Sequence, residues 1–322
     1  MMQRRWFSPL ATVLVVAPFV GEVLSTATSV FVFLVVLPFH AALYGSGALL
    51  VREGVRRWRL GLAGLIALGA AYGILEEAEF VRSWFNVSYL PSEGDYSRVW
   101  DTSLLQAVHL TSFHAAVSIG CAIAITELLH PGHRDRPWAS TRTLALAAVA
   151  MVLLFPLTLI EGSGFFATRW PQMAVALVLA GAVVALARQL PRTWPAVGTQ
   201  SSAKPLARRA ALALSAGFVL TYAAPPSGLP WPIAVLGAIM IPIVGVGAAL
   251  RVLPSRRDQV LLGLVVGLLG PLVILNLVLL QPQTWLAAVL SICGLVGLRR
   301  LVARRATAAR MVAPEARPSA TG

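Results

Sequence analysis

The sequence predicts an all-α fold, a polytopic membrane bundle of about ten transmembrane helices. Hydrophobic residues make up 57% of the 322 residues and charged residues only 12%, which is about half the charged share of a soluble globular chain. The mean hydropathy is +0.77. So few charges cannot cover a soluble surface, which excludes a soluble enzyme, a disordered chain and a coiled coil. The balance fits a protein whose outer face meets lipid.

Ten apolar runs are each close to the roughly 20 residues that a helix needs to cross a bilayer. The first run is the weakest, because it contains Pro9, Pro18 and Glu22. Arg4 and Arg5 precede it, so a cleaved signal is the less favoured alternative to a first transmembrane helix. The predicted helices occupy residues 7–25, 28–51, 60–83, 104–129, 142–160, 170–188, 209–225, 231–250, 259–280 and 283–298.

These runs form one predicted transmembrane domain over residues 1–298. The longest polar interruption, at about 189–208, is predicted to be a cytoplasmic linker. The remaining segment, 299–322, is basic and then rich in Pro, Ala and Ser. That composition predicts a disordered cytoplasmic tail.

Basic residues indicate the orientation of the helices, because Lys and Arg collect on the cytoplasmic side of a membrane. With ten helices and both termini cytoplasmic, all 26 basic residues except Arg82, Arg98 and Arg169 fall inside. All nine tryptophans lie at predicted helix ends or in loops, where an apolar ring with a polar N–H is favoured. We therefore expect a multi-pass protein of the bacterial cytoplasmic membrane. Its partner is the lipid bilayer and not nucleic acid, although its net charge is +13.

Ionisable residues at membrane depth are costly, which makes them candidate functional residues. At 1.5 Å per residue, Glu76 and Glu77 lie roughly 8–10 Å below the outer surface, His109 roughly 8 Å and His114 roughly 15 Å. These four residues are the candidate catalytic residues. The other intramembrane polar candidates are His40, Glu22, Glu161 and Arg82.

Carboxylates and imidazoles at one depth can form a zinc site or an acid–base pair. The candidate metal ligands are His109, His114 and Glu77, with a divalent ion such as zinc as the candidate cofactor. Adjacent residues of an α-helix lie 100° apart, so we expect at most one of Glu76 and Glu77 to face a given neighbour. His109 and His114 are five residues apart and cannot both face one site in an undistorted helix. We expect Glu76 or Glu77, but not Glu79, to contact a histidine of the second or fourth helix, and we favour the fourth.

Two local features accompany the glutamate pair. Gly69 and Gly73 precede it at a spacing that permits a neighbouring helix to approach closely. Glu79 has Arg82 within reach one turn further on, which predicts a local ion pair.

The segment 73–82, GILEEAEFVR, resembles the first motif of the CAAX-protease and bacteriocin-processing (CPBP) family of intramembrane proteases, in which a Glu pair precedes a Phe and an Arg on a membrane helix. The second motif of that family places a Phe four residues before a His, and here Leu110 stands four residues before His114. The resemblance covers residues 70–125. It implies that one of the two glutamates activates water and that His114 assists.

Two classes of function follow from these candidates. The first is a membrane-embedded hydrolase, metal-dependent if the Glu/His cluster binds a divalent ion. The second is a secondary transporter that couples the uptake of a small molecule to protons through the same residues. A non-catalytic membrane subunit, the third reading, needs none of them. The sequence leaves the substrate open among a small molecule, a lipid and a peptide.

Overall fold

The computed structural model describes residues 8–86, 95–159, 169–191, 203–252 and 258–312, and it confirms the all-α class. Within these ranges, ten long helices occupy the places of the ten apolar runs. They are α1 (Pro9–Val23), α2 (Val30–Arg57), α3 (62–80), α4 (Leu104–Leu129), α5 (Thr141–Thr158), α6 (Trp170–Gln189), α7 (Ala203–Ser227), α8 (Trp231–Val252), α9 (Asp258–Val278) and α10 (Pro282–Val312). Two short strands, β1 (Arg98–Val99) and β2 (Thr102–Ser103), pair antiparallel before α4.

Seven of these helices are long and apolar enough to cross a membrane, namely α2, α4, α5, α6, α7, α9 and α10. The apolar part of α8, Trp231–Gly245, is shorter. Helix α1 is shorter as well: it measures about 22 Å at 1.5 Å per residue, less than the roughly 30 Å of a hydrocarbon core. Helix α3 has three glutamates near its C-terminal end. The chain therefore has the helices of a polytopic membrane protein. Length and composition identify seven of the ten as candidate membrane-spanning helices.

Two predicted non-helical segments are partly helical. Helix α10 continues to Val312, so the disordered tail predicted from Arg299 was wrong for its first half. Helix α7 begins at Ala203, inside the predicted linker. Both stretches are rich in Ala, Leu and Arg, which are strong helix formers. Their charge suggested loops, but charge alone does not prevent a helix.

Serine residues begin four of the helices. The Oγ atoms of Ser8, Ser29, Ser103 and Ser140 accept hydrogen bonds of 3.1–3.4 Å from the backbone N–H three residues later. A serine in this position satisfies one of the N–H groups that a helix start leaves unpaired. These caps fix where α1, α2, α4 and α5 begin.

The outer surface of the bundle is apolar. Val35 on α2 is 80% exposed, Leu146 on α5 is 69% exposed and Val178 on α6 is 74% exposed. Large apolar side chains in such numbers are typical of helices that face lipid instead of water. The polar residues face the other way, because Glu76, Glu77 and His114 are all buried.

The core brings together the helices that carry the candidate residues. Val13 of α1, Leu43 of α2, Tyr72 of α3 and Ile119 of α4 belong to one buried apolar cluster. A second cluster joins α1 and α4 to α9 and α10. Helices α1 to α4 therefore pack around a common interior, and the candidate site lies there.

Candidate functional site

Four π-helical turns face one another in this interior. They are Phe19–Val23 in α1, Ala41–Gly45 in α2, Leu75–Phe80 in α3 and His114–Cys121 in α4. Each turn contains a polar residue of the candidate site, namely Glu22, Tyr44, Glu76 with Glu77, and His114. A π turn replaces i→i+4 with i→i+5 hydrogen bonds and is found frequently at functional sites. In α3, for example, the N–H of Val81 donates to the carbonyl of Glu76 over 2.9 Å.

Glycines permit the close approach of these helices. A Cβ atom at Gly73 would lie 3.0 Å from the Cβ of His114, and one at Gly69 would lie 3.0 Å from the Cα of Ala115. On α1, a Cβ at Gly21 would lie 2.7 Å from Cε1 of Tyr44. The predicted role of Gly69 and Gly73 is thus confirmed. They bring α4 against α3 one turn before the glutamate pair.

The centre of the site is a contact of two glutamates with one imidazole nitrogen. The Nε2 atom of His114 lies 2.6 Å from Oε2 of Glu76 and 2.7 Å from Oε1 of Glu77. The exposed fractions of Glu76, Glu77 and His114 are 1%, 3% and 2%. The expectation that a glutamate of this pair contacts a histidine of the fourth helix is confirmed.

The expectation that at most one of the two glutamates faces this neighbour was wrong. Both carboxylates reach the same nitrogen of His114. The 100° separation applies to a regular α-helix, whereas Glu76 and Glu77 lie in a π turn, where the angle between successive residues differs. The glutamate side chains are long and flexible, so both reach Nε2 of His114 despite the remaining angle between their Cα–Cβ bonds.

Glu77 is held from two sides. Its Oε2 accepts a hydrogen bond from the hydroxyl of Ser83, while its Oε1 meets His114. Ser83 is fully buried, and its carbonyl accepts a hydrogen bond of 2.9 Å from the side-chain amide of Gln106 on α4. Both oxygens of Glu77 therefore have partners, and its orientation is fixed.

Glu76 connects to a second carboxylate through a tyrosine. The hydroxyl of Tyr44 lies 2.6 Å from Oε1 of Glu76 and 2.8 Å from Oε1 of Glu22. The other oxygen of Glu22 accepts a hydrogen bond of 2.5 Å from the hydroxyl of Thr28. The sequence analysis singled out Glu22 but missed Tyr44. A signal was present, since Tyr44 follows His40 by four residues and shares its helix face.

His109 lies apart from this cluster. Its ring packs against Phe218, with centroids 4.8 Å apart, and against Tyr222 at 6.2 Å. The group of described side chains that could hold a metal ion consists of Glu76, Glu77 and His114. This group differs from the predicted set of ligands, since it contains Glu76 and does not contain His109. His109 and His114 diverge around α4, as their spacing of five residues predicts.

The remaining predicted residues are more peripheral. His40 is buried, and its Nε2 lies 3.9 Å from Oε2 of Glu22. Arg82 donates hydrogen bonds to the side chain and the carbonyl of Thr158 on α5, and the Oε1 atom of Glu79 has no hydrogen-bond partner among the described residues. Glu161 lies outside the described residues.

Two polar atoms of the central group have no hydrogen-bond partner within the described part of the chain. They are Oε2 of Glu76, which is near His114 but outside hydrogen-bond geometry, and Nδ1 of His114. One imidazole nitrogen and two carboxylate oxygens are a donor set that suits Zn²⁺. The residues present thus fit a divalent metal chemically. Their separations of 2.6 and 2.7 Å are hydrogen-bond distances, which a proton also satisfies.

Apolar space lies beside α3 and α4. A cleft of about 1100 Å³ between α3, α4, α6 and α8 is lined by Ile74, Thr111, Val175 and Ile243, among others. Ile74 lies two residues before Glu76. A cleft of this size and polarity can accept an apolar chain; Glu76, Glu77 and His114 are not among the residues that line it.

The chain was compared with protein-family models, with curated proteins and with solved structures, and nothing in any of the three matches it.

Proposed function

We propose that this chain is a polytopic protein of the bacterial cytoplasmic membrane that crosses the bilayer ten times, with both termini in the cytoplasm. The ten helices at the ten apolar runs support this count. The concentration of Lys and Arg in alternate connections supports the orientation. In this arrangement the glutamates of α3 lie in the outer half of the membrane.

We propose further that the protein is a membrane-embedded hydrolase. One observation carries this proposal: two buried carboxylates converge on one buried imidazole nitrogen. Burying two carboxylates is costly unless they are paired or protonated, and ionisable groups inside a membrane are functional candidates by default. The resemblance of segment 73–82 to the CPBP protease motif supports the same assignment.

The contacts support different roles for the two glutamates. Glu77 has both oxygens engaged, by Ser83 and by His114, so it orients the imidazole. Oε2 of Glu76 lies 2.6 Å from Nε2 of His114 but makes no hydrogen bond among the described residues, which favours Glu76 as the general base. In the proposed reaction Glu76 removes a proton from water as the water oxygen attacks an acyl carbon. The proton then passes to the leaving group, and His114 stabilises the charge that develops.

A divalent metal is compatible with the same residues. Glu76, Glu77 and His114 would hold it. When bound, such an ion polarises a carbonyl group and lowers the pKa of bound water. The orientation of His114 by Glu77 serves either form of the site, because a metal-ligating imidazole also needs a fixed ring.

The apolar surface and cleft of the bundle support one class of substrate. The neighbouring cleft is almost entirely apolar, and the outer surface of the bundle is apolar as well. A substrate that approaches from the bilayer therefore needs a hydrophobic anchor. We propose an acyl compound, a membrane-anchored peptide or an ester, whose cleavable bond lies in the outer half of the membrane.

Hydrolysis by the purified protein tests this proposal. The protein would be reconstituted in lipid nanodiscs and incubated with fluorogenic peptides and esters that carry an apolar anchor. We expect Glu76→Gln to lower the rate by about 100-fold or more, the usual effect of removing a general base. Glu79→Gln is the matched control on the same turn and should keep the activity. Full activity of Glu76→Gln would refute the assignment of Glu76 as the base.

The connection from Glu76 to Glu22 favours a second candidate, a proton-coupled transporter. Coupling needs a carboxylate that alternates between two protonation states, and it needs no water attack. Vesicles with an imposed pH gradient distinguish the two functions. A transporter would accumulate its solute only with the gradient and would not hydrolyse it, whereas the hydrolase would act without a gradient.

A further inference from the structure

A second apolar cavity lies between α4, α7, α8 and α9, beside the first turns of α3. Phe113 of α4 and Leu214 of α7 are among the residues that line it, and it encloses about 180 Å³. An apolar cavity of this size excludes water but accepts hydrocarbon. Glu76, Glu77 and His114 do not line it, so it is separate from the candidate hydrolytic site.

This cavity is long and narrow. Its lining positions run from Arg209 to Gly217 on α7 and from Leu261 to Leu268 on α9, which are lengths of about 12 Å and about 10 Å at 1.5 Å per residue. One leaflet of a bilayer contributes about 15 Å of hydrocarbon. A helix is about 10 Å across, which is too wide for this volume over this length. A single hydrocarbon chain of one leaflet matches both dimensions.

One end of the cavity carries a cation. Arg209 is exposed and lines the cavity together with Leu62 and Leu261, which lie near the N-terminal ends of α3 and α9. Within the described part of the chain, no Asp or Glu pairs with Arg209, whereas Arg134 pairs with Asp258 at the start of α9 over 2.6 Å. A guanidinium group binds phosphate well, because its planar N–H groups match the oxygens of the anion. The mouth of the cavity can therefore hold an anionic group.

The other end of the cavity is aromatic. His109 lines it, and its ring packs against Phe218 and Tyr222 with centroids 4.8 Å and 6.2 Å away. The rings of Phe218 and Tyr222 stack on each other with centroids 6.1 Å apart. The cavity thus runs from a charged mouth through an apolar channel to a group of rings. An anionic headgroup followed by an acyl chain has the same order of polarity.

We propose that this cavity holds one acyl chain of an anionic phospholipid, with the phosphate at Arg209. The second chain of the lipid stays in the surrounding bilayer. In the proposed orientation of the protein, the lipid belongs to the cytoplasmic leaflet, because α3, α7 and α9 begin on that side. The inference goes beyond the proposed hydrolase, since the cavity would bind this lipid whichever reaction the glutamates perform.

Gly217 permits a direct test of the chain position. It lines the cavity, and a Cβ atom there would meet nothing within 4 Å. Gly217→Leu would therefore place its side chain in the cavity without a backbone clash and would displace the acyl chain. Gly181 on α6 also has nothing within 4 Å of a Cβ, but it does not line the cavity. Gly181→Leu is accordingly the matched control.

Two adjacent arginines test the headgroup position. Arg208 and Arg209 are both exposed on α7, and only Arg209 lines the cavity. Arg209→Gln removes the charge at the mouth, whereas Arg208→Gln removes an equal charge one residue away. A general attraction of anionic lipid to basic residues would respond to both changes alike.

The experiment is native mass spectrometry of the full-length protein in a neutral detergent. The protein would be titrated with phosphatidylglycerol or with phosphatidylcholine of the same acyl chains. We expect one phosphatidylglycerol to bind at least several times more tightly than phosphatidylcholine. Arg209→Gln should weaken its binding by about tenfold, the usual effect of losing a hydrogen bond to a charged group. Gly217→Leu should lose this bound lipid, and both control variants should bind it as the wild type does.

A second measurement uses the wild-type protein alone and so does not depend on the folding of a variant. One equivalent of phosphatidylglycerol with a photoreactive group in its acyl chain would be bound in the same detergent and irradiated. We expect the crosslinked residues to lie within 210–217 of α7 or 261–268 of α9. Crosslinks confined to the outer surface of the bundle, around Val35 or Val178, would overturn the proposal.

Three outcomes of the titration would overturn it as well. They are equal binding of the two lipids, unchanged binding by a folded Gly217→Leu variant, and equal losses in Arg208→Gln and Arg209→Gln. A failure of the hydrolase proposal appears separately, as full hydrolytic activity of Glu76→Gln.

Discussion

His114 and Glu77 share a buried hydrogen bond, with 2.7 Å between Nε2 of the imidazole and Oε1 of the carboxylate. Both side chains are removed from water. In such surroundings each group depends on the other, because an unpartnered charge keeps the cost of its desolvation and loses the attraction that offsets it. Glu76 contacts the same nitrogen, so His114 compensates two carboxylates at once.

Removal of the imidazole should therefore lower the free energy of unfolding by more than the loss of its packing alone would. We expect His114→Ala to lower the free energy of unfolding by about 3–5 kcal/mol, as for other buried ion pairs that lose one partner. The measurement is thermal or denaturant unfolding in a defined detergent. His109→Ala is a suitable comparison, since His109 is a buried histidine of the same helix that packs against aromatic rings.

The same unfolding measurement can show whether the loss of stability arises from the carboxylates. If the cost arises from the carboxylates, then Glu76→Gln and Glu77→Gln should recover part of the stability in the His114→Ala background. Equal losses for His114→Ala and His109→Ala would contradict this account and would leave only a cavity effect.

The contact between α3 and α4 should be sensitive to a single methyl group. Gly73→Ala would place a Cβ 3.0 Å from the Cβ of His114 and 3.1 Å from the Cα of Thr111, so the helices must separate. We expect a loss of about 1–3 kcal/mol in the free energy of unfolding, as for other overpacked interiors. Gly181→Ala on α6 is the control, because a Cβ there meets nothing within 4 Å. It should be neutral or stabilising by about 0.5–1 kcal/mol.

Much of the site could be predicted from the sequence, for identifiable reasons. The contact of the glutamate pair with a histidine of the fourth helix followed from the similar distances of these residues from their helix ends, and the close approach at Gly73 followed from residue size. The π turns could not be predicted, because they shift hydrogen bonds without changing the apolar pattern of the run. That is why the joint contact of Glu76 and Glu77 was missed. Tyr44 was missed because a tyrosine in an apolar helix is common. Only its contacts with Glu22 and Glu76 in the folded chain identify its hydroxyl as part of the site.

The connection between α4 and α5 depends on one buried arginine. Arg52 of α2 is 1% exposed, and its guanidinium donates to the carbonyls of His133, Arg134 and Arg136 over 2.8–3.1 Å. It also lies 4.0 Å from the ring centroid of Trp138. These three contacts are made by Nη2, while Nη1 pairs with the carboxylate of Glu53 at 2.5 Å. The planar fork of Arg reaches the carbonyls and the carboxylate together, and the single ammonium of Lys cannot.

We therefore expect Arg52→Lys to loosen this connection. Limited proteolysis should cut near residues 130–139 at least several times faster, and the free energy of unfolding should fall by about 1–3 kcal/mol, the cost of leaving buried acceptors unpaired. Arg142→Lys is the control, since Arg142 is exposed at the start of α5. Equal proteolysis of the two variants would show that Arg52 does not hold the connection.

The orientation of the bundle can be tested across a single helix. Helix α4 joins the segment that contains Asp95 to the connection that contains Gly132, and it is long and apolar enough to cross the membrane. Arginines surround Gly132, which predicts that it faces the cytoplasm. In a variant without Cys121 and Cys293, we expect an impermeant thiol reagent to label Asp95→Cys on intact cells. Gly132→Cys, where a Cβ meets nothing within 4 Å, should react only after lysis. The reverse pattern would place the glutamates of α3 in the cytoplasmic half of the membrane, and labelling of both positions on intact cells would show that α4 does not cross.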